Sequence, residues 1–413
     1  MQISINPDRL TSELDELAAF SALEAPEVSR IVFSEHDLRA RAWLKDLCAQ
    51  AGLDVREDAV GNTFARWHGS DREAPAVGTG SHIDAIPHSG RYDGTVGVLA
   101  GLEAIRALQA ASFVPRRSLE LLLFTSEEPT LFGLGCLGSR LLTGSLEVSV
   151  DTTMKDAAGR TLREIRTAAG FTGDLASVRL PDNYYDSFVE LHIEQGPLLE
   201  RRGVPVGVVT AIAAPASLRL EIYGQGGHAG AVLMRDRHDA FLAAAEIALA
   251  LEKAALATGS IDSVATTGVC DLFPRVSNGI ASRVHLEADI RDIDGVRRDG
   301  MIEHLERTCE DVATRRGVSI SIEIINRDAP CACAPKIVDA ISAVCTESNL
   351  PFDRMVSRAY HDSLFMARIC PTAMLFIPCR NGVSHRPDEY ASPEAIAQGT
   401  LVLAQTLARL SES

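Results

Sequence analysis

The chain has 413 residues, of which 46% are hydrophobic and 23% charged, with a formal net charge of −16. That length calls for two domains, because single cores seldom grow past about 250–300 residues. The acidic balance excludes a nucleic-acid partner, which needs a cationic surface. The chain opens MQISINPDRLTSELDEL, with acidic residues where a signal peptide carries a basic start and an apolar run. Helical periodicity then covers 7–22 and 35–52. A short strand at 77–81 runs into His82, and 95–111 repeats Val, Leu and Ile at helical spacing. The run LELLLFT at 119–125 is apolar almost throughout, as a strand buried on both faces is. Strands follow at 188–193 and 372–378, and a helix at 393–410 closes the chain. Strands alternating with helices predict an α/β sandwich around a mostly parallel sheet.

The middle of the chain has a different order. Strands at 217–223, 263–269, 284–290 and 318–325 alternate with helices at 237–257 and 295–316. This β-α-β-β-α-β series is the split βαβ pattern. It predicts a second domain at 213–329 inserted into the first, which takes 1–212 and 330–413. The seams, 211–216 and 328–335, are rich in small residues and proline. No apolar run approaches the about 20 residues needed to span a bilayer, so no membrane partner is expected. Nine cysteines follow no zinc-ribbon or disulfide spacing, which predicts reduced thiols and a cytoplasmic setting.

Five polar runs stand out: His82-Ile83-Asp84, Tyr92-Asp93-Gly94, Ser126-Glu127-Glu128-Pro129, His192-Ile193-Glu194-Gln195-Gly196 and Ser384-His385-Arg386-Pro387. The first four are read as strand ends and the fifth follows the last strand, where open α/β sheets build their sites. Taken singly, a histidine in a turn, an Asp-Gly pair or a Glu-Glu pair is usually plain surface. Together they offer three imidazoles and several carboxylates, the donor set of Zn²⁺, Mn²⁺, Ni²⁺ or Co²⁺. Five ligands exceed one tetrahedral ion, so His82, Asp93, Glu128, His192 and His385 are expected to hold two ions, with Asp93 between them. Asp84 is expected to accept the second ring N–H of His82 and so set its tautomer. Glu127, adjacent to Glu128 but pointing elsewhere, is the expected general base for a metal-activated water.

These runs carry a resemblance. GSHIDAIPHSGRYDG, FTSEEP, ELHIEQGPLLE, GGHAGA and HDS…SHRP resemble the amidase, hydantoinase/carbamoylase group of the M20 metallopeptidase superfamily over nearly the whole chain. Members of that group act on allantoate, N-carbamoyl-L-amino acids, β-ureidopropionate and ureidoglycolate. VVTAIAAPASL, GGHAGAVLM, SRAYHDSLFMARI and FIPC are most like the members acting on ureidoglycolate. One departure is Leu131, where the group usually carries Arg before Phe-Gly. The resemblance implies an M20-type catalytic α/β/α sandwich with an inserted ferredoxin-like α+β lid and dimerisation domain. It implies two divalent ions, Mn²⁺ first, on the five ligands above, with Glu127 as base. Substrate contacts carry over to Gln195, His228, Asn278, Arg291, Tyr360 and His361, with His228 at the oxyanion and often supplied by a partner subunit. Arg291 would hold a carboxylate; a structural pair with Asp289 or Asp292 is the alternative, as a plain turn is for Asn278. A small ureido acid, a homodimer and hinge closure between the domains complete the expectation; the rival is a member that keeps the fold and only binds ligand.

Overall fold

LELLLF becomes the strand Leu119–Phe124, buried at every position, near the middle of a nine-stranded sheet. The computed structural model that shows this describes residues 2–413. Seven of its strands run in the order Val206–Ile212, Thr372–Ile377, Tyr185–Ile193, Ala76–His82, Leu119–Phe124, Thr63–Trp67, Asp54–Glu57. The expected parallel arrangement holds for the four strands from Thr372–Ile377 to Leu119–Phe124, with Thr79 opposite both Leu121 and Val189. The flanks differ: Val206–Ile212, Thr63–Trp67 and Asp54–Glu57 pair antiparallel. The parallel strands share one carboxyl edge, and His82 and His192 stand on it.

Pleating sends alternate side chains to opposite faces of this sheet. Leu121 and Thr79 meet the helix Thr95–Ala110 at Gly101, and that helix lies against Pro393–Ser411. Leu122, Phe124 and Phe188 point the other way, into a cluster with Leu137, Leu141, Leu162 and Val178. Helices therefore cover both faces, as an α/β/α sandwich requires.

The chain divides into two units. One holds the residues up to Thr210 with Cys333–Met355 and His361–Ser413; the other holds Ala211–Ala332 with Val356–Tyr360. In the second unit four antiparallel strands lie in the order Val264–Phe273, Arg283–Asp292, Ala214–Tyr223, Ser319–Arg327. Leu218, Leu220, Ile222, Val284, Leu286 and Ile290 face the helices Ala240–Ala257 and Gly295–Arg316. The other face is polar: Arg219 lies 3.3 Å from Glu287 and 3.0 Å from Glu323, and His285 lies 2.7 Å from Glu221.

Some boundaries differ from the sequence reading. The helix expected from 237 starts at Ala240, because the Asp239 carboxylate accepts the N–H groups of Phe241 and Leu242 and caps it there. The first helix ends at Ala19, short of residue 22. A two-stranded sheet of Val28–Arg30 and Ala85–Ser89 was not anticipated, since neither run is apolar. Among the described residues no helix is long and apolar enough to cross a membrane, and Cys48, Cys136, Cys270, Cys309, Cys345, Cys370 and Cys379 are free thiols.

Candidate metal centre

Four routes bring the polar runs together in the first unit. His82 ends the strand Ala76–His82, and His192 lies near the end of Tyr185–Ile193. Glu127 and Glu128 follow Leu119–Phe124 after Ser126, which takes a left-handed backbone at φ 57°. His385 follows Thr372–Ile377 through a 3-10 turn and is itself left-handed at φ 58°. Asp93 arrives differently from the expectation. It follows the side strand Ala85–Ser89, outside the main sheet, and precedes Gly94, the N-cap of the helix Thr95–Ala110. Gly94 has φ +68°, and a Cβ there would lie 2.4 Å from His82 Nε2, so only glycine lets this turn approach the imidazole.

Asp93 is the hub. Its Oδ1 lies 3.1 Å from His192 Nε2 and 3.6 Å from His82 Nε2. Its Oδ2 lies 3.3 Å from His385 Nε2, which is also 3.1 Å from Glu128 Oε1. Ligand atoms of His82, Asp93 and His192 all fall within 4.8 Å of one another, and so do those of Asp93, Glu128 and His385. The two groups share only Asp93. Two imidazoles are oriented from behind: His82 Nδ1 is 3.0 Å from the main-chain oxygen of Asp84, and His192 Nδ1 is 2.9 Å from that of Ile193. Each Nδ1 is thus held by the main chain and each Nε2 faces Asp93, the orientation a metal ligand needs.

The Asp84 side chain has a different task from the one expected. Its carboxylate lies 3.7 Å from His82 Nδ1 and accepts instead the main-chain N–H groups of Glu127 and Glu128, at 3.2 and 3.0 Å. The adjacent main-chain oxygen has taken the imidazole. Glu127 is buried, with Oε2 3.8 Å from His82 Nε2 and Oε1 3.6 Å from the Cys136 thiol.

Charge in this cluster is lopsided. Burial alone would lower the pKa of His82, but Glu127 and Asp93 outweigh it and raise it well above 6.5. Burial likewise opposes protonation of His385, yet Asp93 and Glu128 push it up to about 11. Burial raises the Glu127 carboxyl well above its ordinary range, with His82 pulling the other way. Carboxylates that drive three imidazoles to take up protons form a site of negative potential, which divalent cations satisfy. The N/O donor set fits Mn²⁺, Zn²⁺, Ni²⁺ or Co²⁺.

The remaining expected residues divide between the units. Gln195, left-handed at φ 55°, donates from Nε2 to Asp93 Oδ2 at 2.6 Å. His361 is buried with its ring centroid 4.5 Å from that of His192, and Glu190, His192 and His361 form a third close group. In the second unit His228 pairs with Gly279 across a two-residue ladder, and Ala229 N–H donates to the Asn278 oxygen, so His228 and Asn278 are neighbours. Gly230 N–H donates to His228 Nδ1 at 3.1 Å, which leaves the proton of the neutral ring on Nε2. Arg291 lies on the polar face of its sheet. Asp289 accepts from its Nε at 2.6 Å, and its guanidinium carbon sits 5.4 Å from the centre of the Tyr360 ring. Asp292, the other partner considered, accepts from Arg297 and Ser263 instead.

Sequence reasoning missed Glu389. This carboxylate is buried, accepts N–H bonds from Tyr92 and Asp93, and lies 2.8 Å from Ser384 Oγ. Burial, then the Asp93 charge, raises its carboxyl to about 7. Its run, His-Arg-Pro-Asp-Glu-Tyr, reads as a solvated loop.

Comparison with known proteins places the chain in a family. The model of peptidase family M20/M25/M40 matches residues 78–409. A ureidoglycolate hydrolase of Arabidopsis thaliana is 51% identical over 99% of this chain and 87% of its own length. An N-carbamoyl-L-amino acid amidohydrolase of Geobacillus stearothermophilus is 34% identical over 99% of both. The crystal structure of AtUAH in complex with glyoxylate superposes with a TM-score of 0.94 at 51% identity, covering 99% of this chain and 98% of that one. With its metal-ligand groups meeting at Asp93 and a family match spanning most of its length, the chain belongs to peptidase family M20/M25/M40.

Proposed function

We propose that this chain is a two-metal amidohydrolase that cleaves the ureido C–N bond of ureidoglycolate. The observation that carries the proposal is Asp93, whose two oxygens face two different sets of ligand atoms. His82 and His192 would hold one ion, Glu128 and His385 the other, and Asp93 both; manganese is assigned first, then zinc, nickel or cobalt. Bound there, the ions supply an acidified water and polarise the carbonyl under attack. Glu127, beside His82 and free of the ligand groups, takes a proton from that water and returns it to the leaving nitrogen. An oxygen joins the ureido carbon as its C–N bond breaks and one ammonia leaves; loss of carbon dioxide and then of the second ammonia from the remaining α-hydroxy amine gives glyoxylate.

Gln195, His228, Asn278, Arg291, Tyr360 and His361 are assigned to substrate. For His228 the support is its tautomer: an Nε2–H is a donor suited to the oxyanion of a tetrahedral intermediate. Arg291 carries the one charge suited to a small carboxylate in this set, although Asp289 already occupies part of its fork. The roles of the inserted unit as lid and dimerisation domain, a homodimer, and a reducing cytoplasm belong to the same proposal; buried thiols such as Cys48, Cys136 and Cys345 are in keeping with the last. Ureidoglycolate is chosen over allantoate and N-carbamoyl amino acids because the 51% relative bears that name and the 34% relative bears the other.

Ammonia release by Mn²⁺-loaded protein offered (S)-ureidoglycolate, allantoate and N-carbamoyl-β-alanine tests the choice. The expected result is a kcat/KM for ureidoglycolate at least about 100-fold above the other two, the discrimination a polar pocket readily achieves. A preference for either competitor overturns the substrate, and no release from any of the three overturns the enzyme.

A further inference from the structure

We propose that Glu389 is a positioning residue that sets the geometry of the bridging carboxylate. The inference rests on the reading of Asp93 as a shared metal ligand. Glu389 is 4% exposed and spends both oxygens on this one neighbourhood. Oε1 accepts the main-chain N–H of Tyr92 at 2.8 Å and that of Asp93 at 3.1 Å. Oε2 lies 2.8 Å from Ser384 Oγ, and the same hydroxyl lies 2.6 Å from Asp93 Oδ2. Glu389 thus grips the backbone of Asp93 at one end and, through Ser384, its side-chain oxygen at the other. With Oε1 holding two N–H groups and Oε2 sharing the single Ser384 hydroxyl proton with Asp93 Oδ2, it is a brace rather than a further ligand.

The space for it is built in. A Cβ at Gly90 would lie 2.4 Å from the Glu389 Cβ, so the glycine just before the Asp93 turn keeps room for the buried carboxylate. Ser384 and Glu389 flank His385, and Asp93 belongs to a turn 296 residues before Glu389. The brace therefore ties the loop that presents His385 to the turn that presents Asp93. It holds Asp93 Oδ2 toward His385 and leaves Oδ1 toward His82 and His192. Without it, the turn and the loop are free to part, and the ion on the His385 side loses its frame first.

Wild type, Glu389→Ala, Glu389→Gln and Ser384→Ala test this, by bound Mn²⁺ per chain, Mn²⁺ affinity, kcat and KM for ureidoglycolate, and thermal melting. Gln keeps an oxygen for the two N–H groups and offers N–H to Ser384, so it should restore what Ala loses. Glu389→Ala should bind one ion firmly and the second about 10–100-fold more weakly, with kcat falling by a similar factor and KM little changed. Ser384→Ala should weaken the same ion by a smaller factor, and serves if Glu389→Ala does not fold. Wild-type metal content and affinity in Glu389→Ala, or in Ser384→Ala where it stands in, overturn the inference. So does a Glu389→Gln as impaired as the alanine. Wild-type protein that takes up no Mn²⁺ sinks the metal reading itself, an outcome distinct from two ions in wild type and in every variant.

Discussion

Two neighbouring glutamates do different things because the backbone turns between them. Glu128 reaches His385, whereas Glu127 reaches only the edge of His82 and a thiol. The left-handed Ser126 and the two N–H bonds to Asp84 hold that divergence. Glu127→Gln keeps the shape and removes the base, so kcat should fall by about 10²–10⁴-fold while bound metal stays as in wild type. Steady-state kinetics with metal analysis on the same sample checks this; a loss of metal would make Glu127 a ligand instead. The Glu pair was legible because it directly follows the buried run LELLLFT. Glu389 was not, since its role depends on the gap at Gly90 and on N–H groups far away in sequence. Arg291 was legible only as a choice between partners, and the fold settled that Asp289 is the one it meets.

At the scale of elements, the site leans on structure that carries no ligand. Arg30, in the short strand Val28–Arg30, is 1% exposed. Its Nε donates to the main-chain oxygen of Ile83 at 2.6 Å and its NH1 to those of Leu17 and Phe20. One side chain thereby joins the end of the first helix to the peptide between His82 and Asp84. Arg30→Met keeps the apolar stem but takes the guanidinium from the oxygens of Ile83 and Phe20, while Leu17 keeps the Phe20 N–H; an oxygen left buried and unpaired costs about 1–3 kcal/mol. Chemical denaturation should show a loss of about 1–3 kcal/mol for each such oxygen, with weaker Mn²⁺ binding; an unchanged midpoint would show that water satisfies those oxygens. Long elements were readable because their apolar period is sustained. Two short ones were not: Val28–Arg30 and Ala85–Ser89 carry polar residues. The strand read at 77–81 is fully buried over Ala76–His82 although five of its seven residues are Gly, Thr, Ser or His. Its neighbours on both sides, rather than its own composition, make it a central strand.

For the whole molecule, the proposed ligands come from residues 82 to 385, and all but Asp93 are gathered by the shared edge of the parallel strands. Strand order, not sequence distance, decides proximity: Tyr185–Ile193 lies beside Ala76–His82, so His192 falls beside His82. The class of sheet was readable from alternation alone, while its antiparallel flanks were not, because hairpin and crossover connections leave similar apolar runs. The division of the first unit into early and late segments follows from the inserted β-α-β-β-α-β series. The account stands or falls on Asp93 serving two ions at once. Anomalous scattering from Mn²⁺-loaded crystals measures that directly. Two peaks about 3.5–4 Å apart, one on each side of the Asp93 carboxylate, are predicted; a single peak, or peaks away from Asp93, would contradict it.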